Sequence, residues 1–145
     1  MYLIDTNVIS ELRKRKSANS NVVAFFAKAE QQQTPIFLST ITVGELRRGV
    51  ELIRYRGDRI QAERLEEWLN KLLVDFGGFI LSFDRDAAQV WGRLRVPHPE
   101  NPLDKQIAAI ALVHGLIVVT RNEKDFTGTG VEVLNPFNSF LGVKQ

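Results

Sequence analysis

Cysteine is absent from this 145-residue chain. Disulfides, thiolate-held zinc, iron–sulfur clusters and a cysteine nucleophile are therefore excluded, and the composition suits a reducing cytoplasm. Histidine is scarce: His98 sits between prolines and His114 stands alone, so the paired spacing of a metalloprotease is missing. No G-x-S-x-G elbow, P-loop or G-x-G-x-x-G occurs, which leaves acyl-hydrolase and nucleotide-binding readings without support. Long apolar runs are lacking too. The most apolar stretch, Ile107 to Val119, is interrupted by His114-Gly115 and falls short of the roughly 20 residues that a membrane span needs. The opening residues carry Asp5 and Glu11 in place of an apolar core, so no secretory leader is expected. Charge of one sign is not in excess either. The net charge of +2 gives no global signature of a polyanion partner, which would have to come from local clusters.

What remains is an ordinary globular balance, 44% hydrophobic and 25% charged, and a length that fits one domain spanning residues 1–145. Five short apolar runs read as strands: Tyr2–Ile4, Ile36–Ser39, Phe79–Ser82, Leu116–Thr120 and Val131–Leu134. Such runs suit a sheet covered on both faces. Between them lie helical patterns over Asn21–Gln32, Val43–Arg54 and Ile60–Val74. A further helix is capped by Asp84 and runs through Val90, Trp91 and Leu94, and Asn101-Pro102 opens Leu103–His114, which Gly115 ends. Strands alternating with helices imply a mostly parallel, about five-stranded sheet inside a three-layer α/β/α sandwich.

Acids recur at the ends of these strands. Asp5 follows the first, and ligands of open α/β sheets bind in the crevice outside such carboxyl ends. It also suits the N-cap of the next helix, and Thr6 and Asn7 could orient a carboxylate or form a turn. Glu45 follows the second strand; Thr42-Val43-Gly44-Glu45 matches a capping box, in which the Glu returns to the N-cap amide. Asp104 falls in the first turn of a helix that is apolar almost all round. It shares a face with Ile107, Ala108 and Ala111, and a carboxylate buried there needs a cation, a hydrogen-bond network or a raised pKa. After the fourth strand, Asn122 and Asp125 both stand where a side chain could reach a bound water. Several acids around one crevice repel each other, so together they point to a hard cation, Mg²⁺ or Mn²⁺, held by oxygen ligands. Such an ion supports phosphodiester hydrolysis.

The stretches from Tyr2 to Glu11 and from Leu38 to Leu46, Asp104 with Ile107-Ala108-Ala109, Val119 to Phe126, and the closing Val131 to Phe137 resemble PIN-domain ribonucleases. The likeness is greatest to the VapC and FitB-type toxins of toxin–antitoxin pairs, and it spans nearly the whole chain. By this resemblance Asp5, Glu45 and Asp104 hold Mg²⁺ or Mn²⁺. A fourth site acid falls near Asn122 or Asp125, where position 122 departs from the pattern as an amide. Thr6, Asn7, Thr120 and Asn122 become candidates to steady these acids or to touch a phosphate. The resemblance further implies an RNA substrate, a homodimer, and a small antitoxin whose tail enters the active-site groove. Operator DNA would be bound only through that antitoxin, and no membrane is involved.

Local basic clusters add to this. Arg13-Lys14-Arg15-Lys16 lies close to Asp5 and suits RNA phosphates or a solvated helix end. Arg47-Arg48 and the run from Arg54 to Arg59 form a second basic region near Glu45. Helical spacing makes Trp68 and Trp91 core or dimer contacts in preference to base-stacking platforms. Two rival functions stay open at this point. One is phosphotransfer through an aspartyl-phosphate at Asp5, for which position 7 lacks the neighbouring acid. The other is a catalytically weak partner in an antitoxin-containing transcriptional regulator.

Overall fold

The five strands of the sheet all pair in parallel. In this computed structural model, residues 1–138 are described. The strands are β1 (Tyr2–Ile4), β2 (Ile36–Ser39), β3 (Ile80–Leu81), β4 (Ile117–Val119) and β5 (Val133–Leu134). The helices are α1 (Thr6–Leu12), α2 (Ser20–Gln31), α3 (Thr40–Tyr55), α4 (Arg59–Phe76), α5 (Arg85–Leu94) and α6 (Pro102–His114). Among the described residues no helix is long and apolar enough to cross a membrane.

Strand alternation explains the layers. Leu3 and Val118 point to one face, where they meet Ala87 of α5 and Ile107, Ile110 and Ala111 of α6. Ile4 and Val119 point to the other, onto Val8 and Ile9 of α1 and Val22 and Phe25 of α2, with Leu46 of α3 and Trp68 and Leu72 of α4 packed behind. Successive side chains of a strand face opposite ways, so a three-residue strand such as β1 can join both cores only if neither face is wetted. The expected α/β/α sandwich is what forms.

The outer strands are shorter than the sequence implies. Phe79 belongs to a one-turn helix at 77–79 that begins at Gly77, whose φ is +48°, so only Ile80 and Leu81 pair with β2. Val131 and Glu132 likewise precede the two residues of β5. Gly115 ends α6 as expected, left-handed at φ +66° and donating its N–H to Ala111, and Asp84 caps α5 by accepting from the Ala87 amide at 2.9 Å.

Two helix starts differ from expectation. Asn101 precedes α6 but is itself left-handed and makes no side-chain capping bond. The segment before it is held instead by Lys105, whose buried ammonium donates to the carbonyls of His98 and Glu100. At α3 the cap is Ser39, not Thr42: Ser39 Oγ accepts from the Thr42 amide at 3.1 Å. The helix therefore begins directly at the end of β2, and Glu45 is its sixth residue, free of the capping box.

Candidate active site

Topology selects one place for ligands. From β1 the chain winds outward through β2 to β3, then returns across β1 to build β4 and β5. The winding direction reverses between β1 and β4, and the crevice beyond the carboxyl ends of those strands is where open α/β sheets bind ligands. The main chains meet there, with the Asp5 amide donating to Val119 O at 2.9 Å. Asp5 and Thr120, the residues that leave the two strands, stand side by side.

Asp5 is buried, at 4% exposure, and both its oxygens are engaged. Oδ1 accepts from the Thr6 amide at 2.8 Å, and Oδ2 from the Thr120 hydroxyl at 2.7 Å and Asn7 Nδ2 at 3.4 Å. The capping role is thus present without being exclusive. Burial pushes the Asp5 carboxyl above its usual range, with the nearby charge of Asp125 adding to it, while the Thr120, Thr6 and Asn7 hydrogen bonds oppose the shift. Thr120, wholly buried, also accepts from Asn7 Nδ2 at 3.3 Å and from the Asn122 amide at 3.0 Å. Asn7 Oδ1 in turn accepts from the Arg121 amide at 3.0 Å. These groups form one polar knot that fixes where Asp5 points.

The other acids arrive from three directions. Asp104 stands in the first turn of α6, half-buried beside Ile107 and Ala108. Its carboxyl is pushed up to about 6, first by burial, then by the charges of Asp5, Asp125 and Glu45 and by a side-chain hydrogen bond with Asp125. Asp125 lies in the one-turn helix at 123–126, half-buried. Among the described residues no Lys or Arg forms an ion pair with any of these four acids. The fold therefore gathers negative charge and leaves it uncompensated. The side chains are not closed into a cage, since among the described residues no group of three or more His, Cys, Asp or Glu is placed to hold a metal. Even so, the donor set is all oxygen, as a hard cation prefers, and the mutual repulsion is what such an ion relieves.

Other expected residues fall in different places. The structure puts Asp125 among the acids, and the backbone N–H of Asn122 donates to the Thr120 hydroxyl, which closes the turn. Among the described residues the Thr6 hydroxyl makes no hydrogen bond to an acid. It donates to Thr42 at 3.3 Å, and Ser39 Oγ donates to the same oxygen at 3.3 Å. Ser39 and Thr42, both wholly buried, are a polar link across the ends of β1 and β2 that the sequence reading missed. Three hydroxyl residues clustered after a strand were its visible trace.

The basic run divides. Arg13 and Arg15 line a cavity, Lys14 pairs with buried Glu11 at 2.9 Å, and Lys16 is exposed. Arg47 and Arg54 are taken up by Glu51 and Glu66 at 2.6 to 3.1 Å, tying α3 to α4. Lys105, the buried ammonium next to Asp104 in sequence, does not serve an aspartyl-phosphate route, because it is turned onto carbonyls.

The PIN-domain family matches residues 2–131. Plasmid stability protein StbB of Pseudomonas syringae is 39% identical over 96% of this chain and 100% of its own length. Toxin FitB of Neisseria gonorrhoeae is 38% identical over 95% and 99%, and VapC ribonuclease Y4jK of Sinorhizobium fredii 34% over 94% and 98%. The crystal structure of FitAcB from N. gonorrhoeae superposes with a TM-score of 0.80 at 36% identity, covering 95% of this chain and 99% of that one. The chain belongs to the PIN-domain family, in the branch that contains the VapC and FitB toxins.

Proposed function

We propose that this chain is the toxin of a toxin–antitoxin pair and a metal-dependent endoribonuclease of the cytoplasm. The observation that carries this reading is the gathering of Asp5, Glu45, Asp104 and Asp125 at the switch-point crevice with no cationic side chain to balance them. Asp5, Glu45 and Asp104 would hold Mg²⁺ or Mn²⁺, with Asp125 as the fourth acid. When bound, the ion supplies charge stabilisation for a phosphodiester and makes an attacking water more acidic. The protein's share is orientation: the Thr120 hydroxyl, the Thr6 amide and Asn7 hold the Asp5 carboxyl fixed and oppose the rise in its pKa that burial causes. A homodimer, an antitoxin whose tail occupies the groove, and operator binding through that antitoxin complete the proposal. The names of the relatives, VapC ribonuclease and Toxin FitB, support it.

The direct test is cleavage of total RNA by the purified chain with Mg²⁺ or Mn²⁺. Cleavage should stop in excess EDTA and return when the ion is restored; undiminished cleavage in chelator would sink the proposal. Thr120→Val, which keeps the shape but removes the hydroxyl from Asp5, should lower the cleavage rate about 10–100-fold, as losing an outer partner of a metal ligand does. Wild-type rates in that variant would show that the knot around Asp5 does not matter to catalysis.

A further inference from the structure

The fold sorts this chain's cations into two groups. Arg47 and Arg54 are neutralised by Glu51 and Glu66. Arg13, Arg15 and Arg64 make no ion pair among the described residues, and Lys71 pairs only with exposed Asp75, at 2.8 Å. These four cations line one cavity of about 470 Å³ whose wall includes Trp68 and a single acid, Glu67. On α4, Arg64, Trp68 and Lys71 are spaced by four and three residues, which places them on one helical face.

A second cavity, of about 160 Å³, shares Arg13 and Trp68 with the first and reaches Ser10, Thr6 and Glu45. Thr6, Ser10 and Arg13 are again spaced by four and three, so one face of α1 runs from the acids to the cations. With a rise of 1.5 Å per residue, that face is roughly 10 Å long. The result is a trough that is acidic at the strand ends and basic beyond them.

We infer that this trough receives the stretch of single-stranded RNA flanking the scissile phosphate, an inference that rests on the reading of the chain as an RNA-cleaving enzyme. Arg13, Arg15, Arg64 and Lys71 contact phosphates, and half-buried Trp68 offers an apolar surface for one unstacked base. Guanidinium groups suit phosphate oxygens through paired hydrogen bonds, and bases freed from a duplex stack on aromatic side chains. An acidic peptide would satisfy the cations but would be repelled at Glu45. An RNA strand puts its flank on the cations and its reacting phosphate at the acids, where a divalent ion accompanies it.

The test is binding of a labelled single-stranded oligoribonucleotide to the full chain in excess EDTA, measured by anisotropy across a KCl series. In an Arg13→Gln/Arg64→Gln variant the dissociation constant should rise at least about tenfold at low salt. Its salt slope should fall by about 1.4, since each phosphate contact on a single strand contributes about 0.7. Arg56→Gln, an exposed change outside the trough, should alter neither. With Mn²⁺ present, the double variant should raise KM for RNA while kcat stays near wild type. Unchanged affinity and slope, or no measurable wild-type binding at low salt, would overturn the inference. So would weakened binding of a poly-glutamate peptide with RNA binding intact, which would mark the trough as a protein-docking surface. If the wild type binds with the expected slope yet never cuts RNA, the trough stands and the nuclease proposal falls. If it cuts RNA and the double variant does so with unchanged KM, the trough alone falls.

Discussion

Replacing Asp104 with asparagine should reduce RNA cleavage by well over 100-fold and, in the same protein, raise the melting temperature of the metal-free chain. The first effect follows from its proposed place as a metal ligand, whose loss exceeds the roughly 10–100-fold cost of losing an outer partner. The second follows from electrostatics. The Asp104 carboxyl lies near 6 in the folded chain against an ordinary 3.8, so the folded state binds this proton more tightly than the unfolded one. Between those pH values the unfolded chain releases a proton that the folded chain keeps, so stability falls as pH rises through the interval and stays lower at neutrality. Asparagine carries no such penalty. At pH 7.5 in EDTA the variant should gain about 1 kcal/mol, a figure discounted because Asp104 is only half-buried, or a few degrees in melting temperature. The gap should close as pH approaches 4. Mn²⁺ should reverse the order, since a ligand at 100 times its dissociation constant stabilises by about 2.7 kcal/mol and only the wild type retains the ligand set. A variant that melts below the wild type in EDTA at pH 7.5 would contradict this account. Asp5→Asn should abolish cleavage to a similar degree, although its buried hydrogen bonds make its effect on stability less simple.

Phe25→Ala should bring the largest loss of stability, about 3–5 kcal/mol, or a fall in melting temperature of roughly 10–20 °C. Phe25 is 2% exposed and forms edge contacts with Tyr2 at 4.9 Å and Phe26 at 5.3 Å. It packs from α2 against the face of β1 that also carries Ile4. β1 has three residues and cannot replace that contact from its own length. In urea the midpoint should drop with an unchanged m value. Cleavage per folded molecule should persist at low temperature, which separates this effect from that of Asp104. A shift below about 1 kcal/mol would mean that the site collapses around the smaller side chain.

The inner sheet was legible because burial on both faces leaves a plain signal: β1 and β2 begin and end where the apolar runs do. The outer strands were not, because only pairing distinguishes Val133 from Val131, and pairing is tertiary. Ser39, Thr40 and Thr42 are all able to cap a helix, and the spacing of Thr42 from Glu45 favoured the wrong one. What decided it was β2, which ends at Ser39 and leaves no room for a loop. The same error had tied Glu45 to a structural duty that it does not perform. Asp5, Glu45 and Asp104 were recognisable from strand-end position and resemblance, whereas the placement of Asp125 among them needed coordinates. In the basic region, the spacing of Arg47, Glu51 and Arg54 already allowed ion pairs along one helix. The part played by Glu66, and the second face that Trp68 turns towards Arg13, depend on how α4 lies on its neighbours.

The insertion of β4 beside β1 also sets a timetable. Asp5 is made long before the strand that completes its surroundings, which ends at Val119, and Asp125 comes later still. During synthesis, which proceeds from the amino end, β1 must wait with one edge open while more than a hundred residues follow. A nascent chain therefore emerges from the ribosome unable to assemble its acids. The acids can come together only once the chain has been made as far as Asp125.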